Sequence, residues 1–158
     1  RDIARQILRH RSFSFQEFSQ RYAVQENFAR REARLQDPKN RQNSIELEDT
    51  EDFGKGGNKS PHERLYEDWS MKQAEVIEAS KNAYQWALNN GIAKEQARAV
   101  LPEGNTESTL YMSGTLRSWI HYCELRRGHG TQKEHMVVAD QCWDIISHHF
   151  PDVAEALE

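Results

Sequence analysis

The chain has 158 residues and a formal net charge of −4 at pH 7, with 29% charged and 37% hydrophobic residues. A mean hydropathy of −0.93 describes a polar protein, and the length suits a single domain over 1–158 with a modest core. No apolar run approaches the roughly 20 residues of a membrane span and no signal-peptide pattern opens the chain, so we expect a cytoplasmic protein without a membrane partner. Cys123 and Cys142 fall on apolar helical stripes, which predicts buried free thiols rather than a disulfide scaffold.

Positive charge is concentrated at the start of the chain. Residues 1–34 carry eight Lys/Arg against four Asp/Glu, and the remainder carries thirteen against twenty-one. An anionic ligand is therefore expected at this end. Nucleic acid is the rival partner, but the positive excess is small and the rest of the chain is acidic, so we expect no nucleic-acid partner.

The stretch 9–22 is the densest in hydrogen-bonding groups, with three arginines, one histidine, one carboxylate and three serines. Residues 9–16 alternate in polarity, which predicts a strand with Arg9 and Arg11 on one side, roughly 7 Å apart. Two guanidinium groups so placed, with Arg21 and Ser19 following, can grip a phosphate or an acceptor-rich ring. The alternative is an edge strand whose arginines are solvated or paired with Glu17, Glu26 and Glu32. The aromatic residues of the stretch are expected in the core: Phe13, Phe15, Phe18 and Tyr22.

The next segments are a weakly patterned region and a loop. One strand is predicted at about 29–35. Residues 37–60 are rich in Pro, Asn, Gln, Gly and acidic residues, which predicts a loop or insertion. A loop of this length is usually a lid, a partner contact or disordered.

A long helix is predicted after this loop. Ser60 is a suitable N-cap, Pro61 suits the first turn, and Glu63 completes a capping box. The helix is expected to end at 89–91, where Asn-Asn-Gly stops it. An apolar stripe predicts that its core-facing residues are Leu65, Trp69, Val76, Ala83 and Ala87, with Ile77, Tyr84 and Leu88 beside them.

Three further helices and one strand complete the prediction. A short helix covers about 93–101 and a strand 106–112, and a turn at 113–115 leads into a helix that ends at Arg126. Residues 131–134 resemble a capping box for the last helix, which ends before Pro151. That helix is expected to bury Val138, Cys142, Ile145 and Ile146.

The spacing of the seven histidines does not support a metal site, and the sequence has no hydrolase nucleophile motif. His129 and the pair Glu134-His135 do not form a zinc-protease motif, and His148 and His149 are adjacent and face different ways on a helix. No metal is therefore expected. Ser19 lacks the Gly-x-Ser-x-Gly elbow of a hydrolase nucleophile, so it is interpreted as a ligand contact.

Three segments together resemble one enzyme family. Arg9-His10-Arg11, seven further residues and Ser19, with Glu17 and Arg21-Tyr22 in step, resemble the signature motif of the flavin-dependent thymidylate synthases. Residues 97–102 resemble the family segment in which an arginine precedes Leu-Pro, and residues 125–134 resemble its second signature. The departures are Gln16 for the usual asparagine, Gln20 for a small residue and Thr115 for asparagine.

This resemblance implies the fold and the reaction. The expected fold is α/β (α+β), a helix-rich domain with a small mixed sheet. The implied activity is methylation of dUMP to dTMP, with methylenetetrahydrofolate as carbon donor and FAD and NADPH as reductants. Family sites lie between the subunits of a homotetramer, so self-association is expected. The alternative is a non-catalytic nucleotide- or RNA-binding module, which would be colourless when purified.

The resemblance also implies roles for individual residues. Arg126 is the expected catalytic residue, stabilising negative charge that develops on the pyrimidine; its neighbour Arg127 is the competing register, and the nine-residue step from Arg117 favours Arg126. Without the resemblance, Arg98 and His121 would be taken as surface residues. The dUMP-binding residues implied are Gln6, Arg9, Glu17, Ser19, Gln20, Arg21, Arg98 and Arg126, and the FAD-binding residues implied are Arg9, His10, Arg11, Glu17, Thr115, Arg117 and His121.

The chain opens on arginine, and the helical spacing of Ile3, Ile7 and Leu8 indicates a start within an element. Family members carry a further N-terminal region that contributes to flavin binding. We therefore expect an N-terminally truncated chain, which alone binds flavin weakly and forms little or no thymidylate.

Overall fold

The computed structural model describes residues 1–48, 50, 53–54, 57–128 and 130–157. Its residues divide into two compact units: a first unit of 1–4, 17–35 and 45–110, and a second unit of 5–16, 36–44 and 111–158. The elements in chain order are α1 Asp2–Ile7, β1 Ser14–Glu17, β2 Arg34–Gln36, β3 Ser44–Glu46, α2 Pro61–Asn89, α3 Lys94–Ala97, a 3₁₀ turn Arg98–Val100, β4 Leu110–Ser113, α4 Leu116–Arg126, α5 Lys133–His149 and α6 Pro151–Glu155.

The start and end of α2 follow the sequence signals. The Ser60 side chain accepts a hydrogen bond from the Glu63 backbone N–H at 3.1 Å, and the Glu63 carboxylate accepts one from the Ser60 N–H at 2.7 Å. These bonds satisfy N–H groups that the helix itself leaves without partners. After Asn89 the chain turns at Gly91, whose φ of +77° suits glycine. The predicted capping box and helix end are confirmed.

The apolar stripe of α2 is only partly buried. The buried residues are Gln73, Ile77, Tyr84 and Ala87, and Tyr84 and Ala87 form a small core with Ala97 of α3. The prediction that the whole stripe faces the core is wrong, because Leu65, Trp69, Val76 and Ala83 are exposed. Periodicity identifies an apolar face, but it does not supply a neighbouring element to cover that face.

A buried amide joins α2 to two irregular segments of the first unit. Gln73 is 4% exposed, and its Oε1 accepts from the Arg31 backbone N–H at 2.6 Å and from Asn105 Nδ2 at 3.0 Å. Its Nε2 donates to the Arg31 carbonyl at 2.8 Å. Such pairing offsets the cost of burying polar atoms.

The strands form two separate pairs, β1 with β4 and β2 with β3. The strand predicted at 29–35 is displaced to Arg34–Gln36, while Phe28 makes an isolated antiparallel bridge to Thr106. Part of the predicted loop 37–60 is instead strand β3. The strand predicted at 106–112 is shorter, at Leu110–Ser113. Each of these strands has three or four residues, too few for alternation to define its ends.

The core of the second unit lies where α4 packs against α5. Its buried residues are Tyr122, Cys123, Ala139 and Ile146, and Phe13 and Trp119 pack against them. Gly114 allows the Phe13 ring to approach closely, since a Cβ at this position would lie 2.5 Å from Phe13 Cδ1. Both cysteines are free, Cys123 buried and Cys142 partly buried. The prediction of free thiols is confirmed.

Three expectations for the ends and faces of elements are wrong. The N-cap of α5 is Gln132, without a side-chain cap, because its Oε1 accepts from Gln6 Nε2 instead. Ile145 of α5 is 61% exposed, whereas Ile146 is buried. Phe18 and Tyr22 are 54% and 75% exposed, so the motif aromatics are not all in the core.

The fold class is confirmed as helix-rich α+β. Its strands form two two-stranded sheets rather than one mixed sheet. None of the described helices has the length and apolar character that a bilayer crossing requires.

Candidate active site

The arginine motif is a turn followed by a strand. Residues 8–9 and 11–12 are turns after α1, and the strand begins only at Ser14. The His10 backbone N–H donates to the Ile7 carbonyl at 3.0 Å. The predicted strand over 9–16 is therefore wrong for its first half, and the roughly 7 Å spacing inferred for Arg9 and Arg11 does not apply. Local turn bonds at the end of α1 outweigh the alternation.

Two candidate residues from opposite ends of the chain meet within the second unit. Arg126, in the last turn of α4, donates from Nε to Nε2 of His10 at 2.9 Å. Both side chains are partly buried. The bond connects the first signature segment to the second within one chain.

A buried polar network lies behind this pair, and the sequence analysis did not identify it. His135 of α5 has no exposed surface; its Nε2 lies 3.1 Å from the Tyr122 hydroxyl and its Nδ1 3.3 Å from Gln6 Oε1. Gln6 Nε2 in turn donates to Gln132 Oε1 at 2.9 Å. The hydrogen bonds run from Gln132, the N-cap of α5, through Gln6 and His135 to the Tyr122 hydroxyl. The signal that was overlooked is a single polar residue, His135, among the apolar residues on the inner face of an amphipathic helix.

Burial and positive charge favour the neutral form of both histidines. Desolvation lowers the pKa of His135 to about 4, with Arg126 and His10 contributing in the same direction. Desolvation also lowers the pKa of His10, again with Arg126 adding to the effect and His121 after it. Burial raises the pKa of the Tyr122 hydroxyl. The group around Arg126 therefore contains one permanent cation among neutral hydrogen-bonding side chains.

Arg127 has a different environment from its neighbour. Its Nε donates to Asp140 Oδ1 at 2.8 Å, and its guanidinium carbon lies 5.2 Å from the centre of the Trp143 ring. This exposed side chain is held against the outer surface of α5. The geometry favours Arg126 over Arg127 as the arginine of the second signature.

Several expected FAD contacts lie on the surface of the second unit. The exposed members are Arg9, Arg11, Thr115, Arg117 and His121. Thr115 caps α4 by accepting from the Ser118 N–H at 3.2 Å, so its hydroxyl has a structural role. Among the described residues, the three arginines of this group make no ion pair. Three such cations are suited to the pyrophosphate of a dinucleotide.

The remaining nucleotide candidates belong to the first unit. Glu17 accepts from the Ser108 hydroxyl at 2.9 Å and pairs with Arg1 at 3.1 Å. Ser19 Oγ accepts from the Arg21 N–H at 3.3 Å. Gln20 is 6% exposed and its amide donates to Gln25 at 3.0 Å.

Arg21 and Arg98 both contact Glu95 within the first unit. Arg21 forms an exposed ion pair with the Glu95 carboxylate at 3.0 Å, and Arg98 Nε donates to the Glu95 backbone oxygen at 3.2 Å. The structure thus brings together two arginines that lie 77 positions apart in the sequence. Of the glutamates considered as partners for the arginine stretch, Glu17 pairs with Arg1.

Metal ligands do not cluster in the part of the chain that the structure describes. No group of three or more His, Cys, Asp or Glu side chains is placed to hold an ion there. His129, considered in the sequence analysis, lies outside the described residues.

A family model and two known proteins relate the chain to the same group of enzymes. The model described as thymidylate synthase complementing protein matches residues 1–152. A flavin-dependent thymidylate synthase from Synechocystis sp. is 50% identical over 159 residues, and a probable flavin-dependent thymidylate synthase from Paramecium bursaria Chlorella virus 1 is 47% identical over 161 residues. The whole chain is covered in both cases, and it spans 67% of each relative.

Solved structures support the fold. The UMP/dUMP methylase PolB from Streptomyces cacaoi, bound with 5-Br dUMP, has a TM-score of 0.73 and 26% identity over 93% of this chain. The match covers 62% of the PolB chain, so this chain spans less than two thirds of that enzyme. With the two signature segments joined through Arg126 and His10, these matches show that the chain belongs to the flavin-dependent thymidylate synthase family.

Proposed function

We propose that this protein methylates dUMP to dTMP, with methylenetetrahydrofolate as carbon donor and FAD and NADPH as the reducing cofactors. The observation that carries the proposal is the hydrogen bond between Arg126 and His10, which unites the two signature segments in a chain of this family. A cytoplasmic location is part of the same proposal.

Arg126 is the proposed catalytic residue. Its guanidinium is partly buried and permanently charged, and its closest described partners are neutral. A cation in such surroundings stabilises negative charge on a pyrimidine more strongly than an exposed cation does, because water screens it less. In the proposed role, Arg126 polarises the pyrimidine carbonyl so that C5 becomes more nucleophilic.

The nucleotide-binding role is proposed for residues of the first signature segment, for Arg126 of the second, and for two residues outside both. Arg9 and Arg21 are exposed and can donate charge-assisted hydrogen bonds to phosphate. Glu17 and Ser19 supply acceptors for ribose or base donors, and the hydroxyl of Ser19 can also donate. The other proposed nucleotide contacts are Gln6, Gln20 and Arg98.

The residues assigned to FAD are suited to an anionic cofactor. Arg9, Arg11 and Arg117 are exposed and make no ion pair among the described residues. These cations are proposed to hold the pyrophosphate, with His10, Glu17, Thr115 and His121 supplying polar contacts. When bound, FAD would supply the hydride chemistry, while the protein supplies position and charge.

A homotetramer is proposed from the exposed apolar side chains of α2. Trp69 is 42% exposed and Trp86 63% exposed, and Leu65, Met71 and Val76 of the same helix are also exposed. Large apolar side chains in this number are typical of a surface that another subunit covers. In the proposed tetramer, the sites lie between subunits.

The test uses the full-length protein. Purified protein is examined for flavin absorbance, and dTMP is quantified after incubation with dUMP, methylenetetrahydrofolate and NADPH. We expect yellow protein and dTMP that depends on all three reactants. Colourless protein that binds dUMP or RNA without forming dTMP would favour the non-catalytic binding module.

A further inference from the structure

The pairing of His10 with Arg126 assigns a protonation state to the histidine. An arginine side chain can only donate hydrogen bonds, so the Nε2 atom that lies 2.9 Å from Arg126 Nε must be an unprotonated acceptor. A neutral imidazole with an acceptor at Nε2 carries its proton at Nδ1. His10 is therefore in the Nδ1–H tautomer.

The same bond fixes the orientation of the arginine. A guanidinium has five N–H donors in one plane. The bond to His10 engages the donor on Nε, which is the atom nearest the side-chain stem. Holding Nε restricts rotation of the planar group, and the two η nitrogens then point in a defined direction for a further partner.

The His10 ring is itself held in place by the core of the second unit. Its centroid lies 5.0 Å from that of Tyr122, edge to face, and 6.4 Å from that of His135. The ring centroid of Phe13, the residue before β1, lies 6.5 Å from that of His10. Since Tyr122 is 1% exposed and bonded to fully buried His135, the surface against which His10 rests is rigid.

We infer that His10 is a positioning residue for the reaction: its neutral imidazole, backed by the Tyr122–His135 pair, accepts from Arg126 Nε and aims the η nitrogens of Arg126 at the pyrimidine. The inference rests on the proposed catalytic role of Arg126. His10 thus has a second role besides its proposed flavin contact, which is to orient Arg126.

Protonation of His10 would break this arrangement. An N–H at Nε2 would face the N–H of Arg126, and two cations would lie in contact. The charged or titratable groups that face His10 are Arg126 and His121 from α4 and His135 from α5, with the Tyr122 hydroxyl beyond the ring. The pKa of His10 is lowered by desolvation first and by Arg126 second. Turnover is therefore expected to fall on the acid side, below the ordinary histidine pKa of 6.5.

The first measurement requires neither flavin nor substrate. Imidazole ¹⁵N shifts of the full-length protein are recorded across pH and assigned with the His10→Gln variant. We expect His10 at pH 7.5 to show a protonated Nδ1 and an unprotonated Nε2. An Nε2–H tautomer at this pH would overturn the inference whatever the protein's activity.

The second measurement compares pH profiles of kcat for wild type, His10→Gln and His10→Ala. Glutamine provides an oxygen acceptor near the position of Nε2 but does not titrate, so this variant should lose the acid limb that His10 produces and keep a higher kcat than His10→Ala. Alanine removes the acceptor, and kcat should fall roughly 10- to 100-fold as Arg126 loses its fixed geometry. The matched control is His148→Gln, an exposed histidine of α5, which should leave the profile unchanged.

The outcomes separate this inference from the proposed function. Wild-type protein that forms no thymidylate overturns the proposed function, and the positioning role with it. Wild-type activity combined with an unchanged acid limb in His10→Gln, or with full kcat in His10→Ala, overturns the positioning role alone. Loss of the acid limb in His10→Gln, with a kcat above that of His10→Ala, supports it.

Discussion

Arg126 and Arg127 are adjacent in sequence, yet they make contacts of different kinds. Arg126 donates to the neutral ring of His10 at 2.9 Å, whereas Arg127 donates to the Asp140 carboxylate at 2.8 Å. The first guanidinium is partly buried and the second is exposed. This difference separates the proposed catalytic arginine from its neighbour on physical grounds.

The first prediction compares lysine variants of these two residues. Arg126→Lys keeps the charge but loses the planar group and the Nε donor, so turnover should fall at least tenfold while flavin content stays unchanged. Arg127→Lys should retain turnover and lose about 0–1 kcal/mol of stability, because its ion pair is exposed. Steady-state rates and flavin absorbance of both proteins are the measurement. Loss of turnover confined to Arg127→Lys would show that Arg127, and not Arg126, is the catalytic arginine.

The second prediction concerns nucleotide affinity. Replacing Arg9 or Arg21 by alanine should weaken dUMP binding by roughly 1.5 to 3 kcal/mol, the contribution of one charged hydrogen bond. Calorimetry on the full-length protein measures the change. Glu95→Gln is the matched control, since it removes the partner of Arg21 without touching the arginine, and it should not weaken binding. Wild-type affinity in both alanine variants would show that these two arginines of the motif do not bind the nucleotide.

The third prediction follows from the lowered pKa of His135. Its folded-state pKa of about 4 lies below the ordinary value of 6.5, so the unfolded chain binds the proton more readily. Stability from this residue is full above pH 6.5 and is lost as pH falls toward 4. Between pH 7.5 and 5.5 the loss should be about 1 kcal/mol.

Urea unfolding at the two pH values, for wild type and His135→Gln, measures this loss. The variant should be less sensitive to pH, because glutamine does not titrate; His10 leaves a smaller dependence in the same direction. Equal sensitivity in both proteins would mean that His135 does not titrate in this range.

The fourth prediction compares two glutamines of α2. Gln73→Ala would leave the Arg31 backbone N–H and carbonyl without their buried partner, at a cost of about 1–3 kcal/mol. Gln85→Ala removes only an exposed bond to Asn89, and its effect should stay within about 0.5 kcal/mol. The midpoints of denaturant unfolding of the two variants, each compared with wild type, measure these losses of stability. Similar losses in the two variants would show that the Gln73 bonds contribute little.

Much of the helical structure could be predicted from the sequence, because helix ends are determined locally. Ser60 and Glu63 satisfy each other within one turn, and Gly91 adopts the φ that ends α2. The exposure of Trp69 and Leu65 could not be predicted, since burial depends on which element covers a face. The short strand β3 was hidden in a polar segment for a similar reason: its partner, β2, is a separate segment.

The candidate site was predictable only in part. The signature residues could be named from their resemblance to the family motifs, but the contact between Arg126 and His10 joins positions 116 apart. The network of Gln6, Tyr122 and His135 carries no signature spacing, and its polar atoms pair only after the helices pack. Sequence patterns identify residue types, whereas the direction of a hydrogen bond and the protonation state of His10 require the fold.

Transfer of an isotopic label tests the proposed reaction most directly. Full-length protein with bound FAD is incubated with dUMP, NADPH and methylenetetrahydrofolate carrying ¹³C in its methylene group, and the product is examined by NMR. We predict ¹³C in the 5-methyl group of dTMP, formed by wild type and strongly reduced in Arg126→Lys. Flavin-loaded wild-type protein that binds dUMP but yields no labelled dTMP would contradict the proposal.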